Sequence, residues 1–220
     1  MKIGILTIGN ELTTGRIQDT NSALISRAMQ QQGWPVVGMI SVGDENRAIH
    51  DALMYLLARA EGVIVTGGLG PTADDITTAA LAKAFGVGLY SDPVVLAHIH
   101  EIFEGRGLRW TENNAKQAIF PDGAEIIANP VGTAAGFALR RDGRVVAVIP
   151  GVPFEARRML FEGVIPLFRK AFPEAVQHVQ TLTFKLFGLP EASVDDAMAD
   201  ADLAGLGVGI GFYQNFPENH

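Results

Sequence analysis

The stretch from Val63 to Thr77 reads VIVTGGLGPTADDIT and predicts a β-strand, a glycine-rich turn and the start of a helix. Its first four residues are β-branched, which favours a buried strand. Gly67, Gly68 and Gly70 then allow a tight turn whose backbone can approach a ligand closely. Because a helix N-terminus presents unpaired N–H groups and the positive end of its dipole, the turn predicts a site for an anion such as a phosphate.

This turn differs from the two common phosphate-binding motifs. No Lys-Ser or Lys-Thr pair follows the last glycine, and the glycine spacing is not that of a dinucleotide-binding turn. A purely structural turn, in which Asp75 caps the following helix, is the alternative interpretation. The sequence of the turn leaves both interpretations open.

Two adjacent carboxylates, Asp74 and Asp75, follow the glycines. Two negative charges beside a bound phosphate repel it unless a cation lies between them, and oxygen ligands of this kind suit Mg²⁺ or Mn²⁺. We therefore expect a metal-bridged phosphate or pyrophosphate, with at least one aspartate binding the metal or orienting a water molecule. Helix capping is expected to occupy the other aspartate.

Short apolar runs rich in Ile and Val alternate with segments of helical period along most of the chain. Strands are predicted over 2–8, 36–42, 62–66 and 125–128 and on both sides of a hairpin turn at 141–144, and helices over 21–32, 45–59, 76–85, 93–106, 112–119 and 153–170. Helix caps are predicted at Asp19 or Thr20, Asp44, Asp75 and Asp92. This order is typical of a mostly parallel sheet covered on both faces, which is a three-layer αβα fold.

A domain boundary is predicted at Phe172-Pro173-Glu174, where a proline and a charge follow a helix end. Residues 1–172 form the αβα domain in this interpretation. Residues 173–220, with a strand over 181–187, a helix over 191–201 and a strand over 208–212, are too few for an independent core. We expect them to be the start of a small α+β domain and the chain to be part of a longer protein.

Polar residues and glycines also follow the other predicted strands, where the topology gathers loops around one crevice. Taken alone, the loops after the first, second and last strands are better explained as turns with helix caps, and the loop at 129–136 is equally explained as a strand connection. Their convergence favours a ligand site. The candidate ligand-binding residues they contribute are Asn10, Glu11, Asp19 and Asn21 after the first strand, Asp44 after the second, Gly132 and Thr133 in a later loop, and Gly151 and Glu155 after the last.

The composition excludes several classes of function. A net charge of -7 gives no electrostatic attraction for a nucleic-acid backbone or an anionic membrane, so neither partner is expected. With no cysteine, the chain has no disulfides, thiolate metal sites or cysteine nucleophile. The apolar run at the start is too short to span a bilayer and no cleavage site follows it. We expect a cytoplasmic protein.

Five ordered motifs resemble the N-terminal domain of CinA-type competence/damage-inducible proteins, which belong to the superfamily of molybdopterin-binding proteins that includes MoaB and MogA. They are GNEL at 9–12, GRIxDTN at 15–21, GGLGPTxDDxT at 67–77, NPxGTA at 129–134 and PGxPxE at 150–155. The resemblance spans roughly residues 1–170, and the remainder looks like the start of a KH-like domain found in the same proteins.

The resemblance implies a three-layer αβα fold with a nucleotide or pterin site in the motif crevice. It implies a divalent-metal-dependent, potassium-stimulated ADP-ribose pyrophosphatase that yields AMP and ribose 5-phosphate with Mg²⁺, Mn²⁺ or Co²⁺. Asp44 and Asp75 fall on the acidic positions that matter in molybdopterin-adenylylating relatives, and Gly67, Gly68 and Gly70 on their phosphate loop, with Thr72 after it. Asp75 and Asp74 are the implied metal ligands.

Two departures from the wider pattern refine this expectation. Leu69 stands where molybdopterin proteins have a threonine between the glycines, which favours the CinA branch over a molybdenum-cofactor role. The chain also contains nothing that could supply the nicotinamide mononucleotide deamidase domain of full-length CinA proteins, so we expect no such activity.

Two rival functions remain at this point. The first is a non-catalytic molybdopterin- or nucleotide-binding module related to molybdenum cofactor biosynthesis proteins. The second is a structural or assembly role in which the tail completes an oligomer. A homo-oligomer, either a dimer or a trimer, is expected in any case.

Overall fold

The computed structural model describes residues 1–175, 182–199, 208–212, 214–215 and 218–219. The chain forms two compact units, residues 1–179 and 180–220. In the first unit the strands are β1 Ile3–Ile8, β2 Val36–Val42, β3 Gly62–Thr66, β4 Leu89–Ser91, β5 Ile119–Pro121, β6 Glu125–Ile127, β7 Gly136–Arg141 and β8 Arg144–Ile149. The α-helices are α1 Asn10–Thr13, α2 Thr20–Gln31, α3 Asn46–Leu57, α4 Thr77–Phe85, α5 Pro93–Gly105, α6 Pro153–Met159 and α7 Ile165–Ala171.

The main sheet has six strands in the order β2-β1-β3-β8-β7-β6. The first four strands are parallel, whereas β7 and β6 are antiparallel to their neighbours. From β1 the chain first forms β2 on one side of β1 and then crosses to form β3 on its other side. The strand order therefore reverses direction between β1 and β3. Ligands bind beyond the carboxyl ends of the strands at such a switch point.

Helices cover both faces of this sheet because the strands bury side chains in both directions. One core layer joins α2, α6 and α7 to residues such as Ile5 and Ile64, and the other joins α3 and α4 to residues such as Leu6 and Val65. Every residue of β1 and β3 is buried. The predicted three-layer αβα fold with a mostly parallel sheet is confirmed.

The observed elements follow the predicted ones closely, with one interruption and three additions. The helix predicted over 153–170 contains a π-helical turn at Leu160–Val164, because Pro166 lacks the amide proton that would continue the α-helical bonding. The short α1, and the pair formed by β4 and β5, were not predicted. The segment Glu112–Ala118 is a 3₁₀ helix.

The second unit contains β9 Leu186–Phe187, α8 Glu191–Met198, β10 Gln214–Asn215 and β11 Glu218–Asn219, with antiparallel strands in the order β10-β11-β9. The strand predicted over 181–187 is reduced to β9, residue 181 lying outside the described residues. The helix predicted over 191–201 matches α8, and residues 200–201 of that prediction lie outside the described residues. The strand predicted over 208–212 is wrong, since Gly209 and Gly211 interrupt it and have low strand propensity.

Within the described part of the chain, no helix combines the length and the apolarity that crossing a membrane requires.

Candidate functional site

A crevice of about 410 Å³ lies beyond the carboxyl ends of β1, β3 and β8. Candidate residues that line it are Glu11, Asp44, Gly67, Gly68, Gly70, Asp74, Asp75, Thr133, Gly151 and Glu155. Asn10, Thr72 and Gly132 stand next to lining residues, whereas Asp19 and Asn21 line an adjoining pocket. The fold therefore brings residues from five separate loops into one region.

Two positions of the glycine loop, residues 67–70, pack too tightly for a side chain. Gly67 has φ +106°, and a Cβ atom there would lie 2.1 Å from the Ile8 carbonyl oxygen. A Cβ atom on Gly68, at φ +66°, would lie 2.1 Å from the Thr77 hydroxyl oxygen. Close packing against β1 and α4 thus requires glycine at both positions.

The same loop presents unpaired backbone donors. The Gly67 amide donates to the Ile149 carbonyl at 3.1 Å and is not available to a ligand. Within the described part of the chain, the amides of Gly68, Leu69 and Gly70 donate to no protein acceptor. Three consecutive free N–H groups form a concave donor set that suits a phosphate oxygen.

Thr72 holds the two adjacent aspartates. Its hydroxyl lies 2.5 Å from Asp74 Oδ1 and 2.6 Å from Asp75 Oδ2, and its amide donates to Asp75 Oδ2 at 2.9 Å. One hydroxyl has only one proton, so it can donate to one of these carboxylates at a time. A negatively charged oxygen is therefore left facing the hydroxyl oxygen, which is an arrangement that a bound cation would relieve.

The prediction that Asp75 caps the next helix is wrong. Helix α4 begins at Thr77, its N-cap is Ile76, and no side chain caps it. The Thr77 hydroxyl instead donates to the Gly67 carbonyl at 2.9 Å and ties the helix to the glycine loop. Both aspartate carboxylates are consequently available at the crevice.

Asp44 was also predicted as a helix cap, and this is wrong for a similar reason. Helix α3 begins at Asn46 after Glu45, without a side-chain cap. Asp44 Oδ2 accepts the Asn10 amide at 2.9 Å, and Asn10 Oδ1 accepts the Asp44 amide at 3.2 Å. This reciprocal pair fastens the loop after β2 to the loop after β1 and holds Asp44 at the crevice wall.

The environment of Asp44 raises the pKa of its carboxyl above the usual value. Burial is the main cause, opposed by the Asn10 amide and reinforced by the negative charges of Glu11, Asp74 and Asp75. Asp44 is therefore close enough to these three carboxylates to be repelled by them. Repulsion of this kind favours binding of a cation.

Asp19 and Asn21 are used by the fold, though in different ways. Asp19 caps α2 as predicted, since its carboxylate accepts the Ser22 amide at 2.9 Å and the hydroxyls of Ser22 and Thr7. The Asn21 side-chain amide donates to Thr66 Oγ1 and to the Gly151 carbonyl. Asn21 Oδ1 is buried and has no partner.

Glu155 is held at the far wall by Asn129. The Asn129 side-chain amide donates to Glu155 Oε2 at 2.7 Å, and Asn129 Oδ1 accepts the Gly132 amide at 3.0 Å. A Cβ atom on Gly132 would lie about 2.5 Å from the Glu155 carboxyl, so a side chain there would displace this carboxyl from its position. Thr133 follows in the crevice lining.

Lys116 and Gln117 lie at the site but were not among the predicted residues. Lys116 Nζ donates to the Thr72 carbonyl, and both residues line a small slot of about 100 Å³ next to the glycine loop. Asp74 has a lowered pKa, caused first by the Thr72 hydroxyl and also by the charge of Lys116. Neither residue belongs to a recognisable motif, and only packing of the 3₁₀ helix against the loop reveals them.

The donor set suits a hard divalent cation. Five carboxylates line the crevice, namely Glu11, Asp44, Asp74, Asp75 and Glu155, and none of the lysine or arginine residues in the described part of the chain lines it. No group of three or more His, Asp or Glu among the described residues is arranged to hold a metal ion by itself. Carboxylates that supply only part of a coordination shell suit Mg²⁺, which commonly completes its shell with waters and substrate phosphates.

The strand order and the loops gathered at the switch point define an αβα protein with a candidate ligand site beyond the carboxyl ends of its parallel strands. The chain belongs to the family described as "Probable molybdopterin binding domain", whose model matches residues 4–170.

The chain is also similar to individual proteins. A CinA-like protein from Syntrophus aciditrophicus (strain SB) is 60% identical over 218 residues, which are 99% of this chain and 52% of that protein. A similar one from Geotalea uraniireducens (strain Rf4) is 42% identical over 99% of this chain and 52% of its own length. The chain thus spans about half the length of the curated relatives it matches.

Solved structures agree with this assignment. The crystal structure of CinA from Thermoplasma acidophilum, a protein of unknown function, matches with a TM-score of 0.65 at 33% identity, covering 79% of this chain and 96% of that one. The molybdopterin biosynthesis enzyme MoaB from Thermus thermophilus shares the fold, with a TM-score of 0.54 at 24% identity over 79% of this chain and 95% of its own. The predicted resemblance to CinA-type proteins is confirmed.

Proposed function

We propose that the crevice hydrolyses a nucleotide sugar at its pyrophosphate, with ADP-ribose as substrate and AMP and ribose 5-phosphate as products. One observation carries the proposal. Three free amides of the glycine loop lie beside five carboxylates, and no lysine or arginine among the described residues lines the crevice. Amides recruit a phosphate, whereas carboxylates repel it, so a metal ion must accompany the substrate.

The size of the repulsion supports the requirement for a metal. Two unit charges about 4 Å apart near a protein surface interact with about 4 kcal/mol. A pyrophosphate facing several carboxylates at such distances would be excluded, whereas a bridging divalent cation makes the same carboxylates attractive. Asp75 and Asp74 are the residues we expect to hold Mg²⁺, Mn²⁺ or Co²⁺.

The residues of the chain then have distinct roles in the reaction. Asp75 and Asp74 would hold the divalent ion, which would supply Lewis-acid polarisation of a phosphoryl oxygen. The amides of Gly68, Leu69 and Gly70 stabilise negative charge that develops on the other phosphoryl oxygens. Asp44, whose pKa is raised, accepts a proton from the attacking water. The water oxygen bonds to phosphorus, and the bond from that phosphorus to the bridging oxygen breaks to release the two monophosphates.

The other candidates bind or position the ligand in this proposal. Glu11, Thr133, Gly151 and Glu155 line the crevice and contact the ligand or its hydrated metal. Asn10 and Thr72 hold Asp44 and Asp75 in place, and Gly132 leaves room for the Glu155 carboxyl. Stimulation by K⁺, a cytoplasmic location and a homo-oligomeric state, either dimer or trimer, belong to the same proposal.

The experiment is AMP release from ADP-ribose by the purified chain with Mg²⁺, Mn²⁺ or Co²⁺, with and without K⁺, against an EDTA control. We expect release that requires a divalent metal and is lost in Asp75→Asn. Asp142→Asn is the matched control, because Asp142 is an exposed hairpin residue whose positive φ asparagine tolerates. Release that persists in EDTA would contradict the metal-dependent mechanism.

A second candidate function is a non-catalytic module that binds molybdopterin or a nucleotide. The family description favours it, and the same free amides would hold the ligand phosphate. This alternative predicts saturable binding by calorimetry without turnover at any metal concentration. Light scattering of the chain, measured in parallel, tests the expected oligomer.

A further inference from the structure

The loop after β8, residues 150–152, lies in the crevice wall beside the glycine loop. Pro150, Gly151 and Val152 all line the crevice. The two loops are in contact, since a Cβ atom on Gly151 would lie 3.4 Å from Gly67 Cα. A ligand bound at the glycine loop can therefore also contact the loop after β8.

A buried hydrogen-bond network fixes two carbonyl groups of this loop. Thr66 Oγ1 donates to the Pro150 carbonyl at 2.8 Å. The Asn21 side-chain amide donates to the Gly151 carbonyl at 2.8 Å and to Thr66 Oγ1 at 3.0 Å. Asn21 is 8% exposed and Thr66 is 2% exposed, so little water competes for these bonds. Both carbonyls are thereby held toward Asn21 and Thr66.

The orientation of the Asn21 amide follows from its partners. Thr66 Oγ1 uses its single proton on the Pro150 carbonyl, so it can only accept from Asn21. The Gly151 carbonyl can also only accept, and Asn21 Nδ2 must face both groups. Asn21 Oδ1 is left buried without a partner, which costs stability. The fold carries this cost while both N–H groups of the amide are spent on the network.

The direction of the carbonyls decides where the amides of the loop point. In a planar trans peptide the N–H group points opposite to the carbonyl group. The Gly151 amide shares a peptide with the Pro150 carbonyl, and the Val152 amide shares one with the Gly151 carbonyl. Both amides therefore point away from the buried network. Neither Asn21 nor Thr66 lines the crevice, so the amides point to the crevice side of the loop.

The same two amides have no protein partner. Within the described part of the chain, the Gly151 and Val152 amides donate to no protein acceptor. Successive N–H groups that point the same way form a concave site for an anionic oxygen. The glycine loop forms one such donor set with three amides, and the loop after β8 forms a second donor set next to it.

Two donor sets suit a ligand with two phosphoryl groups. A monophosphate at the glycine loop leaves the second donor set without an acceptor, whereas a diphosphate places one phosphoryl group at each set. No lysine or arginine among the described residues lines the crevice. Backbone amides therefore take a large share in offsetting the charge of both phosphoryl groups.

We propose that Asn21 and Thr66 are positioning residues that turn the Gly151 and Val152 amides into the crevice, where they donate to the second phosphoryl group of a diphosphate substrate. This inference rests on the proposed function, because it names how that substrate is held at both phosphoryl groups. When the attacking water bonds to one phosphorus, the bridging oxygen keeps the electron pair of the broken bond and leaves with the other phosphoryl group. Each product then faces its own donor set, which offsets the charge on the leaving oxygen.

Thr66→Val tests the network, because valine has a similar shape but no hydroxyl. Calorimetric titration of the Mg²⁺-loaded chain with ADP and AMP compares a ligand that uses both donor sets with one that uses the glycine loop alone. We expect ADP to bind more tightly, and the ratio of the two affinities to fall about tenfold in Thr66→Val and in Asn21→Leu. Thr66→Ser should restore the ratio. A packing role alone would weaken both ligands equally, and an unchanged ratio would overturn the proposal.

Thr7→Val is the matched control. Thr7 is paired with Thr66 in the register of β1 and β3 and is also buried. Its hydroxyl contacts Asp19 and Ser41 and makes no bond to the loop after β8. The affinity ratio should therefore keep its parental value in Thr7→Val. An equal fall in both valine variants would overturn the specific role of Thr66.

Amide NMR spectra of the parent chain test the contact without any substitution. We expect the Gly151 and Val152 signals to shift on addition of ADP with Mg²⁺ and to move little with AMP. The signals of residues 68–70 should respond to both nucleotides. Gly151 and Val152 signals that ignore ADP would overturn the proposal, and this measurement decides it even if Thr66→Val fails to fold.

Failure of this inference is distinguishable from failure of the proposed function. If the chain hydrolyses ADP-ribose but the affinity ratio and the two amide signals do not respond as expected, only the positioning role fails. If both respond and no hydrolysis occurs, the second donor set stands and the pyrophosphatase proposal fails.

Discussion

The two ends of the parallel sheet carry cavities of similar size and opposite character. At the carboxyl ends of the strands, the crevice of about 410 Å³ has free amides and five carboxylates. At the other end, a cavity of about 450 Å³ lies between the last turns of α3 and α4 and the β7-β8 hairpin, and includes Arg141 and Arg144. Cavity volume therefore does not distinguish the end of the sheet that carries the candidate site from the opposite end.

Chain direction explains the difference in charge. Helices that follow parallel strands begin at the carboxyl end of the sheet and finish at the other, so donors collect at one end and carbonyls at the other. Arg141 accordingly donates to the Phe85 carbonyl, at the last turn of α4, at 2.9 Å. The amides of the glycine loop have no such protein partner among the described residues.

The largest effect is expected from the acidic pair. Asp75→Asn should lower AMP release by about two to four orders of magnitude, since the metal loses a charged ligand. Arg144→Met, at the opposite cavity, should leave the rate unchanged. Steady-state rates of both variants, with circular dichroism to confirm folding, measure the contrast. Comparable losses in the two variants would remove the distinction between the ends of the sheet.

Glycine replacements should give the next largest contrast. Gly68→Ala places a Cβ atom 2.1 Å from the Thr77 hydroxyl at positive φ, so nucleotide binding should be lost and stability reduced. Gly143→Ala, in the hairpin, also has positive φ but meets no atom within 4 Å. It should cost only about 1–2 kcal/mol of unfolding free energy and leave binding intact. Thermal unfolding and AMP titration check both expectations, and normal binding in Gly68→Ala would contradict the assigned role of the loop.

Lys116→Met should have a moderate effect at the crevice. Lys116 ties the 3₁₀ helix to the Thr72 carbonyl and favours the charged form of Asp74. We expect a several-fold lower kcat/KM together with a higher Mg²⁺ concentration for half-maximal rate. Lys116→Arg should restore part of the lost kcat/KM. The control is Lys83→Met, because Lys83 lies in the last turn of α4. An unchanged Mg²⁺ requirement would show that Lys116 has only a packing role.

The smallest effect concerns stability and pH. The raised pKa of Asp44 means that the unfolded chain loses this proton at a lower pH than the folded protein does. The folded state is therefore penalised increasingly as pH rises through the folded pKa. Metal-free Asp44→Asn should be slightly more stable than the parent at about pH 7, with the gain disappearing below the ordinary aspartate pKa.

Melting temperatures across this pH range, measured in EDTA, check the expectation. The same variant should lose activity with metal present, which separates a functional carboxylate from a merely destabilising one. A gain in stability that is independent of pH would indicate a different cause.

Much of the fold was predictable because its signals are local. The bounds of β2 and β3 match the predicted ones, since each is rich in Val and Ile and lies between turn residues. The short pair formed by β4 and β5 was missed, because three residues are too few to show a period. The strand predicted over 208–212 was wrong because its apolar residues alternate with glycines.

The site was predictable in position and less so in detail. Asp44 and Asp75 were both expected to cap helices as well as to contribute acidic groups to the site, but their caps depended on helix starts that the sequence sets only to within a residue or two. Because α3 and α4 each begin one residue later than predicted, neither carboxylate caps its helix. Asp44 is held instead by Asn10 of the loop after β1, and Asp75 by Thr72 of its own loop.

By itself, the sequence determined the layers of the fold, the turn at residues 67–70 and the acidic character of the loops, because each depends on neighbours along the chain. Tertiary structure alone decided that Asn10 fastens Asp44, that Lys116 reaches Thr72 and that Asn21 keeps an unpaired oxygen. Those contacts join residues at least 34 positions apart, or depend on two distant acceptors at once. Their partners are chosen by the packing of the sheet, which no local pattern records.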